Sequence, residues 1–249
     1  MRRFYVSPDD IVEGVARLDP SQSRHLVRVL RMRPGDEVIL FDGESEFVAC
    51  IAEIRPKEVA LNVIGKIDTR PHLPFEFRLA QALIKGPRMD WLIEKATELG
   101  VKRITPVSTA RCVIQKDAES GAKVSRYRKI AQSAAAQSGR KDIPEIESPR
   151  SFEEIIREQA DLKVLLWEDE QKSGMDSVLH EWDRIKSEKP PYTITLMIGP
   201  EGGFTTEEVK SAVAQGWVTW GLGSLTLRSE TASIAGMAIL IHTLAGRLR

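Results

Sequence analysis

The run Leu196 to Phe204, LMIGPEGGF, carries the densest chemical signal in the chain. An apolar, strand-like segment ends in Gly199-Pro200-Glu201-Gly202-Gly203, and Thr205 with Glu208 then forms the capping-box pattern of a helix start. Glycines at a strand-to-helix turn allow positive φ and let backbone approach a ligand closely. A second glycine-bearing segment, Gly221 to Arg228 (GLGSLTLR), leads into the last helix. Either turn alone is equally a tight connector; together, on neighbouring strand ends, they would wall one small-molecule pocket. No GxxxxGK[ST] occurs, and neither GPEGGF nor GLGSLT satisfies GxGxxG, which disfavours nucleotide phosphates. There is no HExxH, and His25, His72, His180 and His242 are scattered singly, so no metal site is expected. The absence of GxSxG argues against a serine hydrolase. What remains is a neutral, apolar-lined pocket with backbone donors, suited to a cofactor with an adenine face and a cationic reactive group.

The elements that must carry this pocket are legible from patterning. Three β-rich runs, Glu37–Phe41, Phe47–Ile54 and Val59–Ile67, are separated by Asp42-Gly43 and Arg55-Pro56-Lys57, and predict a small barrel or curled sheet. Asp68 to Pro74 (DTRPHLP) supplies two prolines and no periodicity, and is the expected boundary between a domain over 1–70 and one over 75–249. Strand–helix alternation follows: strands over 75–84, 101–107, 162–167, 192–198 and 217–222, and helices over 87–99, 121–138, 151–159, 175–185, 206–215 and 229–248. Pro87 suits a first helical position, and Gly100 and Gly216 suit helix ends. This alternation predicts an α/β domain with a largely parallel sheet, whose ligand crevice lies at the carboxyl ends of its strands.

Lys+Arg and Asp+Glu both number 36, and a formal net charge of zero argues at first against a nucleic-acid partner. The distribution reverses that reading. Residues 75–150 hold 15 basic and 9 acidic groups, whereas residues 151–249 hold 10 and 15. Residues 120–141 contain six Lys/Arg and no acid, and Arg24 to Arg33 is a second acid-free run with four arginines. Charge runs are commonly solvated faces; two in a neutral chain point to a polyanion. Cys50 and Cys112 stand far apart without CxxC, the amino-terminal segment lacks a secretory apolar core, and the longest apolar run, Ile234 to Leu244, is too short for a bilayer. A cytoplasmic protein is expected.

GPEGGFTTEEV and LGSLTLRSETA resemble the carboxyl-terminal signatures of the ribosomal RNA small subunit methyltransferase E family. The resemblance extends to HLVRVLRMRPGDEVILFDG (residues 25–43), LIKGPRMDWLIEKATELGV (83–101) and AQSGRKDIPEI (136–146), and so covers nearly the whole chain. It implies a PUA-like RNA-binding barrel, a SPOUT-class α/β domain with a carboxyl-terminal trefoil knot, a homodimer, and methyl transfer from S-adenosylmethionine to N3 of a uridine in 16S rRNA. A non-catalytic RNA-binding or ribosome-assembly protein on the same scaffold, and a methyltransferase acting on another RNA such as tRNA, are the competing readings.

Carried over residue by residue, the resemblance assigns the cofactor to three loops: Leu166-Trp167; Ile198-Gly199-Pro200-Glu201-Gly202-Gly203; and Leu222, Gly223, Leu225, Leu227 and Arg228. Backbone of Leu222 and Leu227 would grip the adenine, with Gly199 and Gly202 leaving room for ribose and methionine. N3 of uridine is an imide flanked by two carbonyls, so its proton must leave and the resulting anion must be stabilised. Arg228 is the first candidate for stabilising that anion, its alternative role being an ion pair with Glu230 or Glu201; those two glutamates are the candidate bases. For RNA, Arg126, Lys129, Ser133, Gln137 and Arg140 follow helical spacing on one face, opposite Val124, Tyr127, Ala131 and Ala134. Lys85 and Arg88 would clamp the backbone, and Arg24, Arg28 and Arg31, also at helical spacing, would give a second footprint. Leu225 and Ala110 stand where the family commonly has a basic and an acidic residue.

Overall fold

The computed structural model describes residues 1–56, 58–68, 73–113, 121–170, 173–186 and 190–248. By internal contacts the chain divides into two units, Met1–Pro71 with Gln132–Ile143, and His72–Ala131 with Pro144–Arg249. Residues 69–72 of the expected linker, and Ser120 of the basic run, lie outside the described residues.

The first unit carries β1 (Arg2–Tyr5), β2 (Ile11–Val12), β3 (Val15–Leu18), the short helix α1 (Pro20–Arg24), β4 (Glu37–Phe41), β5 (Glu46–Ile54) and β6 (Val59–Ile67). They form one sheet in the order β1-β4-β5-β6-β3-β2, antiparallel except for the β1–β4 pair. Phe4 at one edge and Leu18 near the other share a core with Val38, Leu40, Ile51 and Leu61, so the sheet is curled around it. β1 and the β2–β3 hairpin escaped the sequence reading because β1 opens on two arginines and the hairpin strands are short. That hairpin turns on Glu13 and Gly14, both at positive φ, as a type I′ turn requires. Asp19 caps α1 through the amides of Ser21 and Gln22. The chain continues as one wider π-type turn over His25–Val29 and then breaks, with Arg31 at φ 54°. Arg24, Arg28 and Arg31 are all exposed, but Arg31 leaves the helical row that the spacing predicts.

The second unit contains β7 (Phe75–Ala82), α2 (Gly86–Glu98), β8 (Arg103–Ser108), α3 (Gly121–Ser138, whose last turns belong to the first unit), β9 (Glu145–Ile146), β10 (Arg150–Ser151), α4 (Phe152–Ile156), β11 (Leu162–Leu166), α5 (Met175–Ile185), β12 (Tyr192–Ile198), α6 (Thr206–Ala214), β13 (Val218–Trp220) and α7 (Ser229–Gly246). Its sheet is parallel throughout, in the order β10-β8-β7-β12-β11-β13, with β9 beside β8. β12 is buried along almost its whole length, as expected of a central parallel strand covered on both faces. Register decides which residues face which layer. Ala80, Leu165 and Met197 are cross-strand partners and pack with Phe152, Phe204, Val209 and Trp217 from the α4 and α6 side. Leu166 and Leu196, one step along their strands, abut Gly236 of α7. Toward the amino ends of β7 and β8, Glu158 gathers Arg103, Arg150 at 2.7 Å and Arg78 at 3.4 Å. Burial, and next the adjoining Arg78, push the Arg103 guanidinium below its ordinary value.

At the carboxyl ends two connections interlock. Trp167 N donates to Trp220 O (3.1 Å), Gly221 N to Ser173 O (3.1 Å) and Thr219 Oγ1 to Glu170 Oε2 (2.7 Å). A Cβ on Gly221 would overlap the carbonyl oxygen of Glu170, so only glycine permits this approach. Gly221→Ala is therefore expected to destabilise the chain by about 1–3 kcal/mol, the usual cost of forced overpacking. Urea denaturation reads this, and an unchanged midpoint would show that the approach is not tight.

Candidate functional site

A cavity of about 390 Å³ opens where β11, β12 and β13 end and α7 begins. That volume is within the range of small-molecule sites, about 300–1,000 Å³. Leu166 and Trp167 form one wall, Ile198, Gly199, Pro200, Glu201 and Gly203 a second, and Leu222, Gly223, Leu225, Leu227 and Arg228 a third. The structure thus brings together every residue expected at the cofactor except Gly202. A Cβ on Gly202 would meet the Arg111 side chain at 3.2 Å, so this glycine backs onto the β8 side, where Arg111 Nη1 donates to the Gly202 carbonyl at 2.9 Å. The expectation that Gly202 opens room for ligand is corrected accordingly. Gly203, which is on the cavity wall, sits at φ 67° with the Glu168 carboxyl group laid across it, where any side chain would overlap.

Local chemistry explains the positions. Thr205 and Glu208 form the reciprocal capping box on α6, with Thr205 N donating to Glu208 Oε2 at 2.8 Å and Glu208 N to Thr205 Oγ1 at 3.1 Å. Glu208 Oε1 also accepts from Ala110 N at 2.8 Å, tying the loop after β8 to the start of the helix. The glycine turn is therefore held between a strand end and a capped helix. Arg228 is the N-cap of α7, with extended backbone, and its carbonyl accepts from Ala232 N at 2.8 Å.

The charged groups are arranged differently from the sequence expectation. Arg88, read as an RNA clamp, lines the cavity from the first turn of α2. Its Nη1 lies 3.4 Å from Glu201 Oε1 and its Nε 3.6 Å from Glu230 Oε1. The two glutamates considered as partners of Arg228 are thus engaged by Arg88, and Arg228 has no ion pair among the described residues. Glu230 is only 8% exposed, and its second carboxylate oxygen has no hydrogen-bond partner among the described residues. Leu225, at 79% exposure, stands at the outer rim.

Sequence reasoning missed Glu168, Trp220, Ser229 and Ala232, all on the cavity wall, whereas Thr226 lies within the loop expected there. Glu168 and Trp220 directly continue or end apolar strands, so the rule that ligands gather at strand carboxyl ends would have reached them. Ser229 and Ala232 needed the orientation of α7.

The basic groups expected to meet RNA lie elsewhere. Arg126 and Lys129 are exposed on α3, Arg126 paired with Asp90, while Gln137 is exposed near the end of the same helix. Arg140 departs from that face. The helix stops at Gly139, φ 82°, and Arg140 is buried at 3% exposure with its Nη2 2.5 Å from Asp142, so it is not available to phosphate. Lys85 is exposed at the N-cap of α2. Among the described residues no three His, Cys, Asp or Glu side chains converge as a metal site would require, and no helix is long and apolar enough to cross a membrane.

The residues fit an S-adenosylmethionine-like ligand on structural grounds. Aliphatic side chains and two tryptophans, Trp167 and Trp220, surround glycine backbone, and the Trp167 indole N–H is buried with no partner among the described residues. Comparison with known proteins agrees. An RNA methyltransferase domain family matches residues 71–241, and an RNA methyltransferase PUA domain family matches residues 18–64. The ribosomal RNA small subunit methyltransferase E of Bacillus subtilis is 33% identical over 223 residues, 88% of this chain and 86% of that protein. A Legionella pneumophila methyltransferase solved with bound S-adenosylmethionine superposes with a TM-score of 0.85 at 31% identity, covering 98% of both chains. The Neisseria gonorrhoeae ribosomal RNA small subunit methyltransferase E, also solved with S-adenosylmethionine, gives 0.84 at 29% identity and the same coverage. The glycine-turned cavity, the parallel sheet that builds it and these likenesses together place the chain in the ribosomal RNA small subunit methyltransferase E family.

Proposed function

We propose that this chain transfers a methyl group from S-adenosylmethionine to N3 of a uridine in 16S rRNA of the small ribosomal subunit. Membership in the family makes it an S-adenosylmethionine-dependent rRNA methyltransferase; the choice of N3 on a uridine rests on the resemblance of its sequence motifs. The observation that carries the reading is the cavity walled by the three loops ending β11, β12 and β13, with Arg228 on its rim. When bound, S-adenosylmethionine supplies a methyl group activated by its sulfonium. The Leu222 and Leu227 backbone would hold the adenine between aliphatic side chains, with Gly199 on the wall beside the rest of the molecule. Arg228, with no ion pair among the described residues, donates hydrogen bonds to the negative charge that develops on O2 or O4 as N3 loses its proton. Glu201, on the cavity wall, or Glu230, buried beside it in the first turn of α7, accepts that proton, and Arg88 lies against both carboxylates.

Arg126, Lys129 and Gln137 of α3, with Lys85, contact rRNA phosphates in this reading, and Arg24, Arg28 and Arg31 supply the PUA unit's share. A division into domains over 1–70 and 75–249, a trefoil knot formed by the cofactor loops, a homodimer and a cytoplasmic location complete it. The knot is supported by the family resemblance, against a general rarity of knots.

Nucleoside mass spectrometry of small subunits lacking the modification, after incubation with the enzyme and labelled cofactor, is expected to show 3-methyluridine. Any other methylated nucleoside would refute the substrate assignment. Arg228→Ala is expected to lower kcat by about a hundred- to a thousandfold, the loss typical of removing a donor to a developing anion, with little change in cofactor affinity; wild-type turnover would remove Arg228 from the chemistry. Reversing Arg126 and Lys129 together to Glu is expected to weaken RNA binding and to flatten its salt dependence by about one log unit per lost phosphate contact, with cofactor binding intact. An unchanged salt slope would place the RNA elsewhere.

A further inference from the structure

Behind the cavity runs a buried chain of hydrogen bonds that the assignments above do not use. Gln81, near the end of the central strand β7, is fully buried at 0% exposure, and Ser229 and Ser233 of α7 are buried beside it. Ser229 Oγ lies 2.6 Å from the Gly199 carbonyl, which can only accept, so the Ser229 proton is committed there. Ser229 Oγ must then accept from Gln81, and Gln81 Nε2 lies 3.0 Å away, with its other hydrogen directed to Ala82 O at 3.0 Å. Gln81 Oε1 is met by Ser233 Oγ at 2.6 Å, and the same hydroxyl lies 2.8 Å from Ser229 O. Both amide hydrogens have acceptors, and the amide oxygen shares the Ser233 proton with Ser229 O, so each polar atom of the side chain has a partner at this depth.

The location makes the network more than a core feature. Gln81 interrupts an otherwise apolar strand end, Leu79-Ala80-Gln81-Ala82-Leu83, and such departures from local pattern concentrate where function requires them. One arm of the amide reaches through Ser229 to Gly199, the first residue of the glycine turn. The other arm, through Ser233, holds the first turn of α7, whose N-cap is Arg228. Two separate walls of the cavity, one receiving the cofactor and one presenting the candidate catalytic cation, are pinned to one side chain on a third strand.

We infer that Gln81 is a positioning residue for methyl transfer: through Ser229 and Ser233 it fixes the spacing between the Gly199 turn and Arg228. The inference rests on the proposed function, because it is the cofactor and the target base that make this spacing matter.

Gln81→Met keeps length and burial but removes every polar contact. Calorimetry with S-adenosylmethionine is expected to show Kd raised about tenfold. Methyl transfer at saturating cofactor is expected to show kcat lowered up to about a hundredfold, the effect of misplacing reacting groups by about 1 Å. Thr97→Val is the control. Thr97 is equally buried, on α2 away from the cavity, and its hydroxyl donates to Ile93 O at 2.7 Å, so its loss lowers Tm without touching either wall. The inference predicts that both variants lose Tm while only Gln81→Met loses affinity and kcat. Wild-type affinity and kcat in Gln81→Met, or a Thr97→Val that loses affinity in step with its Tm, would overturn it. Should Gln81→Met fail to fold, Ser233→Ala, which deletes a single hydroxyl facing Gln81 Oε1, carries the same comparison with the same criteria. A wild-type chain that binds no S-adenosylmethionine would refute the cofactor reading and the positioning role with it, whereas wild-type binding matched by Gln81→Met refutes the positioning role alone.

Discussion

The parallel pairing of β12 between β7 and β11 is the constraint on which the rest of this molecule depends. Seven residues of β12 register with β7 on one side, and five with β11 on the other. Because all strands run the same way, their following loops emerge at one end of the sheet, and with β13 beside β11 three chain segments distant in sequence are forced around one cavity. Apolar side chains on both faces make this register hard to slip: a one-residue shift would exchange the set facing α7 for the set facing α4 and α6. The stability of the sheet and the geometry of the cavity are therefore one physical fact.

The cavity end of the sheet also depends on glycines that let chain segments approach closely. Gly221 admits the backbone of residue 170, Gly203 admits the Glu168 carboxyl group, and Gly236 lets α7 settle against Leu166, itself a cavity residue. Charge is distributed with similar specificity. Arg88 meets both Glu201 and Glu230, while neither Glu168 nor Arg228, both on the cavity wall, has an ion pair among the described residues. The strongly paired arginines Arg78, Arg103 and Arg150 lie instead on Glu158, toward the amino ends of β7 and β8, where they hold structure rather than ligand.

Much of this was legible because the determinants are local. Apolar runs bounded by glycine and proline marked β4 to β6 and, in the parallel sheet, β7, β8, β11, β12 and β13, but not the two-residue β9 and β10; the capping box at Thr205 and Glu208 marked α6; Gly100 and Gly216, both at positive φ, marked helix ends. The glycine turns marked two of the cavity walls. What could not be read depends on geometry across the chain. β1 pairs through a register that two leading arginines obscure. Arg140 continues a helical spacing, yet the helix ends one residue earlier at Gly139, which turns that side chain into a buried pair with Asp142. The partition of Glu201 and Glu230 to Arg88 instead of Arg228 required the relative placement of α2 and α7, which no local pattern encodes. The same holds for Gln81, whose partners lie 148 and 152 positions away. The neutral net charge, finally, averages unlike segments, and the exposed cations of α3 show why the total says little about RNA.

Amide hydrogen exchange, measured with and without S-adenosylmethionine, examines the convergence of the three loops most directly, since ligand contact slows opening only where it stabilises the closed backbone. Protection is expected together at residues 166–168, 199–203 and 222–228, with the strands of the curled amino-terminal sheet unaffected. Protection confined to one of these loops, or appearing in the amino-terminal sheet instead, would contradict a single cofactor cavity built by the ends of β11, β12 and β13.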